Sequence, residues 1–224
     1  MVIPVTAASI FLTVGVYLLS RKVGKRFPSP FTTPVFFSTT ILICIFLLGG
    51  VSYEQYEPAK EIMTYLLGPA TAALAVPLYK NRKLIMEYSL IWGAGLVLGS
   101  LAAILSITAI AKLSGLSDSI VASLTVKSAT VPIAVETTTL INGDPSLAAA
   151  FVVATGTIGG MLGPWLLTRL NISHPVSRGL SMGTIAHGQG TAEIAREGQL
   201  QGAMAGTAMG LAAIFISIVV PLLF

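Results

Sequence analysis

Long apolar stretches separated by short polar segments make up most of this chain of 224 residues. At 1.5 Å per residue, a helix needs about 20 apolar residues to cross a hydrocarbon core of roughly 30 Å. The pattern therefore predicts spanning helices at about 2–20, 33–51, 62–79, 88–111, 146–168 and 203–224. Two further apolar segments, 119–141 and 179–197, contain breaks, and the hydrophobic pattern alone leaves their number of crossings open.

The amino-acid composition also indicates a membrane protein. Hydrophobic residues make up 54% of the chain and charged residues only 10%, whereas a soluble domain carries about 25% charged residues. The mean hydropathy is +0.85. These values predict an all-α polytopic protein with a single transmembrane domain over residues 1–224. The net charge of +4 comes from loop residues, and no basic stripe with interleaved aromatic residues indicates nucleic-acid binding.

The distribution of basic residues predicts the orientation in the membrane. Arginine and lysine follow the first, third and fifth predicted helices, whereas the other connections are acidic or mixed. The basic residues are Arg21, Lys22, Lys25, Arg26, Lys80, Arg82, Lys83, Arg169 and Arg178. Because cytoplasmic loops are enriched in arginine and lysine, we expect the amino terminus to lie outside.

The same rule predicts the course of the two interrupted segments. If the arginines after the fifth helix are cytoplasmic, segment 119–141 must enter and leave on the outer side. A re-entrant hairpin that turns near residues 127–132 satisfies this requirement. Segment 179–197 then dips in from the cytoplasm and turns near residues 187–190. In the alternative topology, 119–141 crosses the membrane completely and leaves two arginines outside.

The first predicted turn carries Lys127, Ser128 and Thr130 within an apolar stretch. We expect the Thr130 side chain to cap the returning helix, with Pro132 in its first turn, where a missing N–H does no harm. A lysine at membrane depth costs about 2.5–3.5 kcal/mol on insertion scales, so a partner is expected. The candidate partners are a substrate carboxylate, Glu136 and Glu193. Alternatively, the lysine lies shallow and reaches the outer surface.

The second predicted turn contains His187, Gly188, Gly190 and Thr191. The glycines allow a tight turn, and Thr191 is expected to cap a helix that carries Glu193 near its start. His187 is expected either to contact the substrate or a coupled proton, or to be a turn residue bonded to backbone carbonyls. No cysteine or carboxylate lies at metal-binding spacing from it, so no metal or other cofactor is predicted.

Both turns direct the start of a helix toward the membrane interior. Such a helix end carries roughly half a positive charge and several unpaired amide donors. Two of these ends facing each other predict an anion site. Broken helices that meet at the midplane hold carboxylates in many secondary transporters.

Two further groups of small residues interrupt the apolar pattern. Gly68 and Pro69 break the third predicted span, and Thr71 is expected to face the same cavity, with close helix packing as the alternative. Glycines also recur at three- and four-residue spacing, at Gly156, Gly159, Gly160 and Gly163. We expect these glycines to admit a neighbouring helix, because the lysine and hydroxyl of a phosphate-binding loop are missing.

These motifs resemble the LrgB/CidB family of bacterial membrane proteins, which includes YohK and the carboxy-terminal half of the plastid glycolate/glycerate transporter. The resemblance covers about residues 5–224 and is carried by four ordered motifs. They are LGPATAALAVPLYK at 67–80, KSATVPIA at 127–134, GTIGGMLGP at 156–164 and GTIAHGQGTAEIAREG at 183–198. Ala129, Val131 and the pair Glu193 and Ile194 depart mildly from the family pattern.

The resemblance implies a protein of the bacterial inner membrane with one of two functions. One is transport of small monocarboxylates such as pyruvate or glycolate. The other is antiholin-like regulation of murein hydrolases and cell lysis, together with a smaller LrgA/CidA-type holin-like partner. A homo-oligomer or a complex with such a partner is expected.

The predicted anion site favours a carrier, which would move its hairpin-bearing bundle relative to the other helices. The expected site residues are Lys127, Ser128, Thr130, His187, Gly188, Gly190, Thr191 and Thr71. An enzyme is disfavoured, because no nucleophile–base pair or pair of carboxylates lies at catalytic spacing.

Overall fold

The computed structural model describes residues 2–27, 29–32, 34–66, 69, 72 and 75–224. All regular secondary structure in these residues is helical. The chain forms two compact units, residues 1–70 and residues 71–224.

In its described residues the first unit contains three α-helices, which are α1 (Val2–Arg26), α2 (Pro34–Leu48) and α3 (Tyr53–Tyr65), and a 3-10 turn at Pro30–Thr32. α1 continues beyond its predicted end at residue 20 through four basic residues, because lysine and arginine have high helix propensity. α3 begins with a capping box in which Ser52 and Gln55 satisfy each other's backbone N–H groups.

The second unit contains eight helices in its described residues, three of them long. They are α4 (Ala75–Lys80), α5 (Arg82–Glu87), α6 (Ser89–Leu113), α7 (Asp118–Thr125), α8 (Val131–Leu140), α9 (Pro145–Arg169), α10 (Pro175–Ile194) and α11 (Gln199–Leu223).

Four of the described helices, α1, α6, α9 and α11, are long and apolar enough to cross a membrane. They correspond to the first, fourth, fifth and sixth predicted spans. The second predicted span is the shorter apolar helix α2, which has 15 residues. The third predicted span, 62–79, is not one helix in the described residues, because α3 ends at Tyr65 and α4 begins at Ala75. Gly68 lies outside the described residues.

α7 and α8 are the arms of a first hairpin, which we define as residues 118–144, with its tip at residues 126–130. The Ser123 hydroxyl in α7 accepts a hydrogen bond from the Asp144 N–H at 2.8 Å. Asp144 follows α8 in the chain. The chain therefore reverses direction between these two residues.

α10 consists of two helices joined at His187, whose backbone angles (φ 39°, ψ −129°) are not helical. The first arm is residues 175–186 and the second arm is residues 188–194. A Cβ atom on Gly190 would lie 2.8 Å from the Met182 carbonyl oxygen, so the two arms lie side by side. We call residues 178–197 the second hairpin, with His187 at its tip.

The second hairpin packs closely on α9 and α11 through small residues. A Cβ atom on Gly159 of α9 would lie 2.5 Å from the Ala186 Cβ atom, and one on Gly179 would lie 2.5 Å from the Gln201 carbonyl oxygen of α11. Both distances are shorter than van der Waals contact, so only glycine fits at these crossings. The prediction that the α9 glycines admit a neighbouring helix is confirmed.

Candidate functional site

α9 connects the bases of the two hairpins. The Asp144 carboxylate caps the start of α9 by accepting hydrogen bonds from two backbone N–H groups, and Asp144 also ends the first hairpin. Toward the other end of α9, the Pro164 carbonyl accepts a hydrogen bond from Arg178 at the base of the second hairpin, at 3.2 Å. The two hairpins therefore start from opposite ends of this helix.

The tips of both hairpins reach the part of α9 around Val152. The His187 ring bonds through Nε2 to the Val152 carbonyl oxygen at 2.9 Å. Val126 and Ala129, from the first tip, are buried in one apolar cluster with Val152. The fold thus brings together residues of the two predicted turns.

The first tip carries a charge and two hydroxyls. The Lys127 ammonium donates a hydrogen bond to the Ser128 hydroxyl at 3.2 Å, and Ser128 is only 4% exposed. The predicted cap by the Thr130 side chain is wrong: no such bond forms, and its buried hydroxyl has no hydrogen-bond partner among the described groups. Pro132 accounts for this difference, because it occupies a position whose N–H an N-cap side chain commonly binds.

No carboxylate in the described part of the chain pairs with Lys127. The ion pairs there join Arg178 to Glu197 and Arg196 to Glu193. The expectation that Glu193 is a candidate partner for Lys127 is therefore wrong, because the second arm directs Glu193 toward Arg196, three residues later in the chain. Glu136 is exposed and forms no ion pair in this part of the chain.

His187 has a strained backbone and a defined tautomer. A residue other than glycine at φ 39° and ψ −129° is uncommon, and such conformations cost about 1–3 kcal/mol. The ring is 6% exposed. Because a carbonyl oxygen only accepts hydrogen bonds, Nε2 must carry the proton in the bond to Val152. The other ring nitrogen, Nδ1, is then available to accept a proton or a hydrogen bond.

The rest of the second tip differs in detail from the prediction. The second arm begins directly after His187, so Thr191 lies inside this arm and does not cap it. The Thr191 hydroxyl is buried without a hydrogen-bond partner in the described structure. Gly190 is buried against the first arm, whereas Gly188 is exposed. A larger side chain at Gly190 would clash with the first arm, whereas at Gly188 a Cβ atom would meet only the Met209 sulfur, at 3.7 Å.

Two polar residues at the site were not predicted as site residues. The Thr157 hydroxyl of α9 lies 2.9 Å from the Gln189 side-chain oxygen and 2.8 Å from the Val153 carbonyl oxygen, and its single proton can be donated to only one of them. The Gln189 side chain lies beside the His187 ring, since a Cβ atom on Gly156 would contact both. Thr157 and Gln189 lie within the family-like motifs 156–164 and 183–198, and a polar side chain in such an apolar motif is the signal that could have identified them.

Thr71, the remaining predicted site residue, lies outside the residues that the structure describes. Within the described ranges, no group of three or more histidine, cysteine, aspartate or glutamate side chains could hold a metal ion. The donors at the two tips are instead an ammonium group, hydroxyls, an imidazole and a carboxamide. These groups suit a small anion with additional polar oxygens.

The family model described as the LrgB-like family matches residues 13–224. The chain belongs to the LrgB-like family. With four long apolar helices among the residues that the structure describes, this LrgB-like protein is a multi-pass membrane protein.

Individual relatives match this LrgB-like chain over nearly its whole length. YwbG of Bacillus subtilis is 36% identical over 215 residues, which cover 96% of each chain. YxaC of the same organism is 34% identical over 213 residues, covering 95% of this chain and 93% of the relative. The holin-like protein CidB of Staphylococcus aureus is 28% identical over 214 residues, covering 96% and 93%. No solved structure matches the chain.

Proposed function

We propose that this LrgB-like protein is a secondary carrier for small monocarboxylates such as pyruvate or glycolate. The anion site lies between the tips of the two hairpins. Its binding residues are Lys127, Ser128, Thr130, His187, Gly188, Gly190 and Thr191, and we retain Thr71 as a candidate.

The single observation that carries this proposal is the Lys127 ammonium, which has no carboxylate partner in the described part of the chain. A cation at membrane depth without a counter-ion destabilises the protein. A bound anionic ligand therefore explains the presence of this lysine better than a role in stability does. A substrate carboxylate supplies the missing charge. The neighbouring hydroxyl of Ser128 orients the ammonium through their hydrogen bond.

The other unsatisfied groups at the tips match the rest of such a substrate. Thr130 and Thr191 each have a buried hydroxyl without a partner among the described groups. The start of α8 adds the N–H groups of Val131 and Ile133, which have no partner within their helix. A 2-oxo or 2-hydroxy acid offers one further oxygen next to its carboxylate, so it uses more of these donors than acetate does.

His187 provides a route for proton coupling. When Nδ1 takes up a proton, the ring becomes a cation that donates from both nitrogens, one to Val152 and the other to an acceptor. Binding of a carboxylate nearby favours this charged form. Proton and anion would then be carried together, although uniport or exchange fits the same residues.

The proposed location is the bacterial inner membrane with the amino terminus outside. The hairpin bases lie at opposite ends of α9, with the basic residues Arg169, Arg178 and Arg196 at one of these ends. The positive-inside rule assigns that end to the cytoplasm. The hairpins would then enter the membrane from opposite sides, which suits a site reached alternately from each side.

Uptake of radiolabelled pyruvate and glycolate into proteoliposomes tests the proposal. We expect saturable uptake by the unmodified protein and a loss of at least about tenfold in the Lys127→Ala, His187→Ala double variant, a change of about 1.4 kcal/mol. Lys112→Ala, which removes an exposed lysine at the end of α6, is the matched control and should transport normally. Normal uptake by the double variant would refute the proposed site.

The second candidate function is antiholin-like regulation of murein hydrolase activity and cell lysis, in assembly with an LrgA/CidA-type partner. The similarity to a relative named holin-like protein CidB favours it. A regulator that works only by assembly needs no carboxylate site. It should therefore show no rise in melting temperature with pyruvate or glycolate, because only a ligand that binds the folded state stabilises it.

A further inference from the structure

A cavity of about 370 Å³ lies between α6 and the first arm of α10, away from the Lys127 end of the proposed anion site. Its volume is within the range of small-molecule sites, about 300–1,000 Å³. It is lined by Ala94, Gly95, Gly99, Ser177, Leu180, Ser181, Thr184 and Ile185. Glycines on the α6 side and hydroxyls on the α10 side therefore form its walls.

The hydroxyls of this cavity form a row along one face of the first arm. Ser177, Ser181 and Thr184 are four and three residues apart, which places them on the same side of a helix. The row begins beside Arg178 at the hairpin base. His187, at the tip, follows one helical turn after Thr184. The row thus leads from the base of the hairpin toward the proposed anion site.

A buried hydroxyl in this wall lacks a partner. Thr184 is 2% exposed, and its hydroxyl forms no hydrogen bond with any described group. Ser100, next to Gly99 in the opposite wall, is also buried with an unpaired hydroxyl. Neither hydroxyl is within reach of a water-sized molecule in the cavity, and the methyl group is the part of Thr184 that faces Gly99. The hydroxyls that a solute in the cavity can contact are therefore those of Ser177 and Ser181, which are only partly buried.

Gly99 of α6 leaves room in the cavity, whereas Leu180 packs closely against Gly95, where a Cβ atom would lie 2.6 Å from the leucine Cδ2 atom. A Cβ atom on Gly99 would meet only the Thr184 methyl group, at 3.8 Å, so there is room beside this glycine. The first arm begins at Pro175, and its positive helix end therefore lies at the Ser177 end of the cavity. A positive end at the entrance attracts an anion.

We propose that this cavity is a water-filled path through which a hydrated small carboxylate moves between the base of the second hairpin and the anion site at its tip. The inference rests on the proposed carrier function. The hydroxyls of Ser177 and Ser181 replace part of the hydration shell of the anion along this path.

Labelling of introduced cysteines tests the water-filled path. The chain has one cysteine, so Cys44→Ser provides the background for Ser177→Cys, Ser181→Cys and the control Leu98→Cys, an exposed apolar position on α6. A membrane-impermeant anionic thiosulfonate needs a thiolate, which forms in water and not in lipid, so we expect about tenfold faster labelling at the two cavity positions than at the control. Saturating pyruvate or glycolate should slow the labelling at Ser181→Cys. Equal rates at the cavity and control positions would overturn the proposal.

A filled cavity gives an independent test. Gly99→Leu should abolish uptake, because it blocks the path. Pyruvate or glycolate should still stabilise the variant, because the binding site at the tip is unchanged. Gly93→Leu, where a Cβ atom meets nothing within 4 Å, is the matched control on the same helix and should transport. Wild-type uptake by Gly99→Leu would overturn the path. Fast labelling of the cavity combined with no uptake by the unmodified protein would instead overturn the carrier function, and with it the role of the cavity in transport.

Discussion

The Arg178 guanidinium donates two hydrogen bonds to the Glu197 carboxylate, at 2.7 and 2.6 Å, although 19 residues separate the two in the chain. In a continuous helix they would lie roughly 28 Å apart. Arg178 also donates to the carbonyls of Ile172 and Pro164. One buried side chain therefore joins both ends of the second hairpin to the end of α9, which fixes the base from which its tip extends.

Removing the charge of Arg178 should destabilise the protein substantially. Arg178→Gln leaves Glu197 without its partner, at an expected cost of about 3 kcal/mol, the lower end for breaking a buried pair, because Glu197 is 31% exposed. Denaturation in detergent measures this loss. Arg196→Gln is the control: its pair with Glu193 is 47% exposed on the arginine side, so it should cost less than about 1 kcal/mol. Equal losses in the two variants would contradict the role assigned to Arg178.

A methyl group at Gly156 should displace the His187 ring. A Cβ atom there would clash with the ring Cε1 and lie 2.8 Å from Nε2, so Gly156→Ala should cost about 1–3 kcal/mol and reduce uptake. Gly93→Ala, with open space around its Cβ position, should cost nothing. The double variant Gly156→Ala, His187→Ala should lose at least about 0.5 kcal/mol less stability than the sum of the two single losses, as expected for residues in contact. Strict additivity would argue against this contact.

Glycine should be preferred to alanine at position 187. His187→Gly and His187→Ala both lose the bond to Val152, but only glycine adopts the observed φ of 39° without strain. The glycine variant should be about 1 kcal/mol more stable than the alanine variant in thermal or chemical denaturation. At Leu211, inside α11, the same comparison should favour alanine by about 0.5–1 kcal/mol, the usual order within a helix. A preference for alanine at both positions would contradict a strained tip.

Lys127→Met should separate stability from binding. Without ligand, loss of an unpaired ammonium should stabilise the protein by up to about 2.5 kcal/mol, the lower end of the cost of a lysine at membrane depth. Pyruvate at one hundred times its Kd should stabilise the unmodified protein by about 2.7 kcal/mol, and it should not stabilise the variant. Melting temperatures with and without pyruvate measure both effects. Lys112→Met should change neither, and a retained response in Lys127→Met would exclude this lysine from the site.

Local patterns were sufficient to locate the long helices and the two tips. α6, α9 and α11 each contain enough apolar residues to span a bilayer, and this property requires no tertiary contact. Lysine, histidine and glycine within apolar stretches marked the turns, because charge and backbone freedom are costly in such stretches. The chain does turn at residues 126–130 and at His187.

Hydrogen bonding at the tips was predicted less well. Thr130 and Thr191 have the residue type of helix caps, but neither side chain forms a cap. Whether a hydroxyl reaches a free N–H depends on which amide proline removes and on where the preceding arm ends. The sequence also could not show that Glu193 pairs with Arg196 and not with Lys127. Which pair forms depends on how the second arm of the hairpin lies relative to each basic residue.

The sequence by itself determined that this is a helical multi-pass membrane protein of the LrgB-like family with polar interruptions at a few positions, because hydrophobic length, charge distribution and motifs are properties of the chain alone. Only the tertiary structure decided that His187 bonds to Val152, 35 residues away, and that Arg178 closes the hairpin on Glu197. Such contacts depend on close approach between helices, which the absent side chains of Gly156 and Gly159 permit.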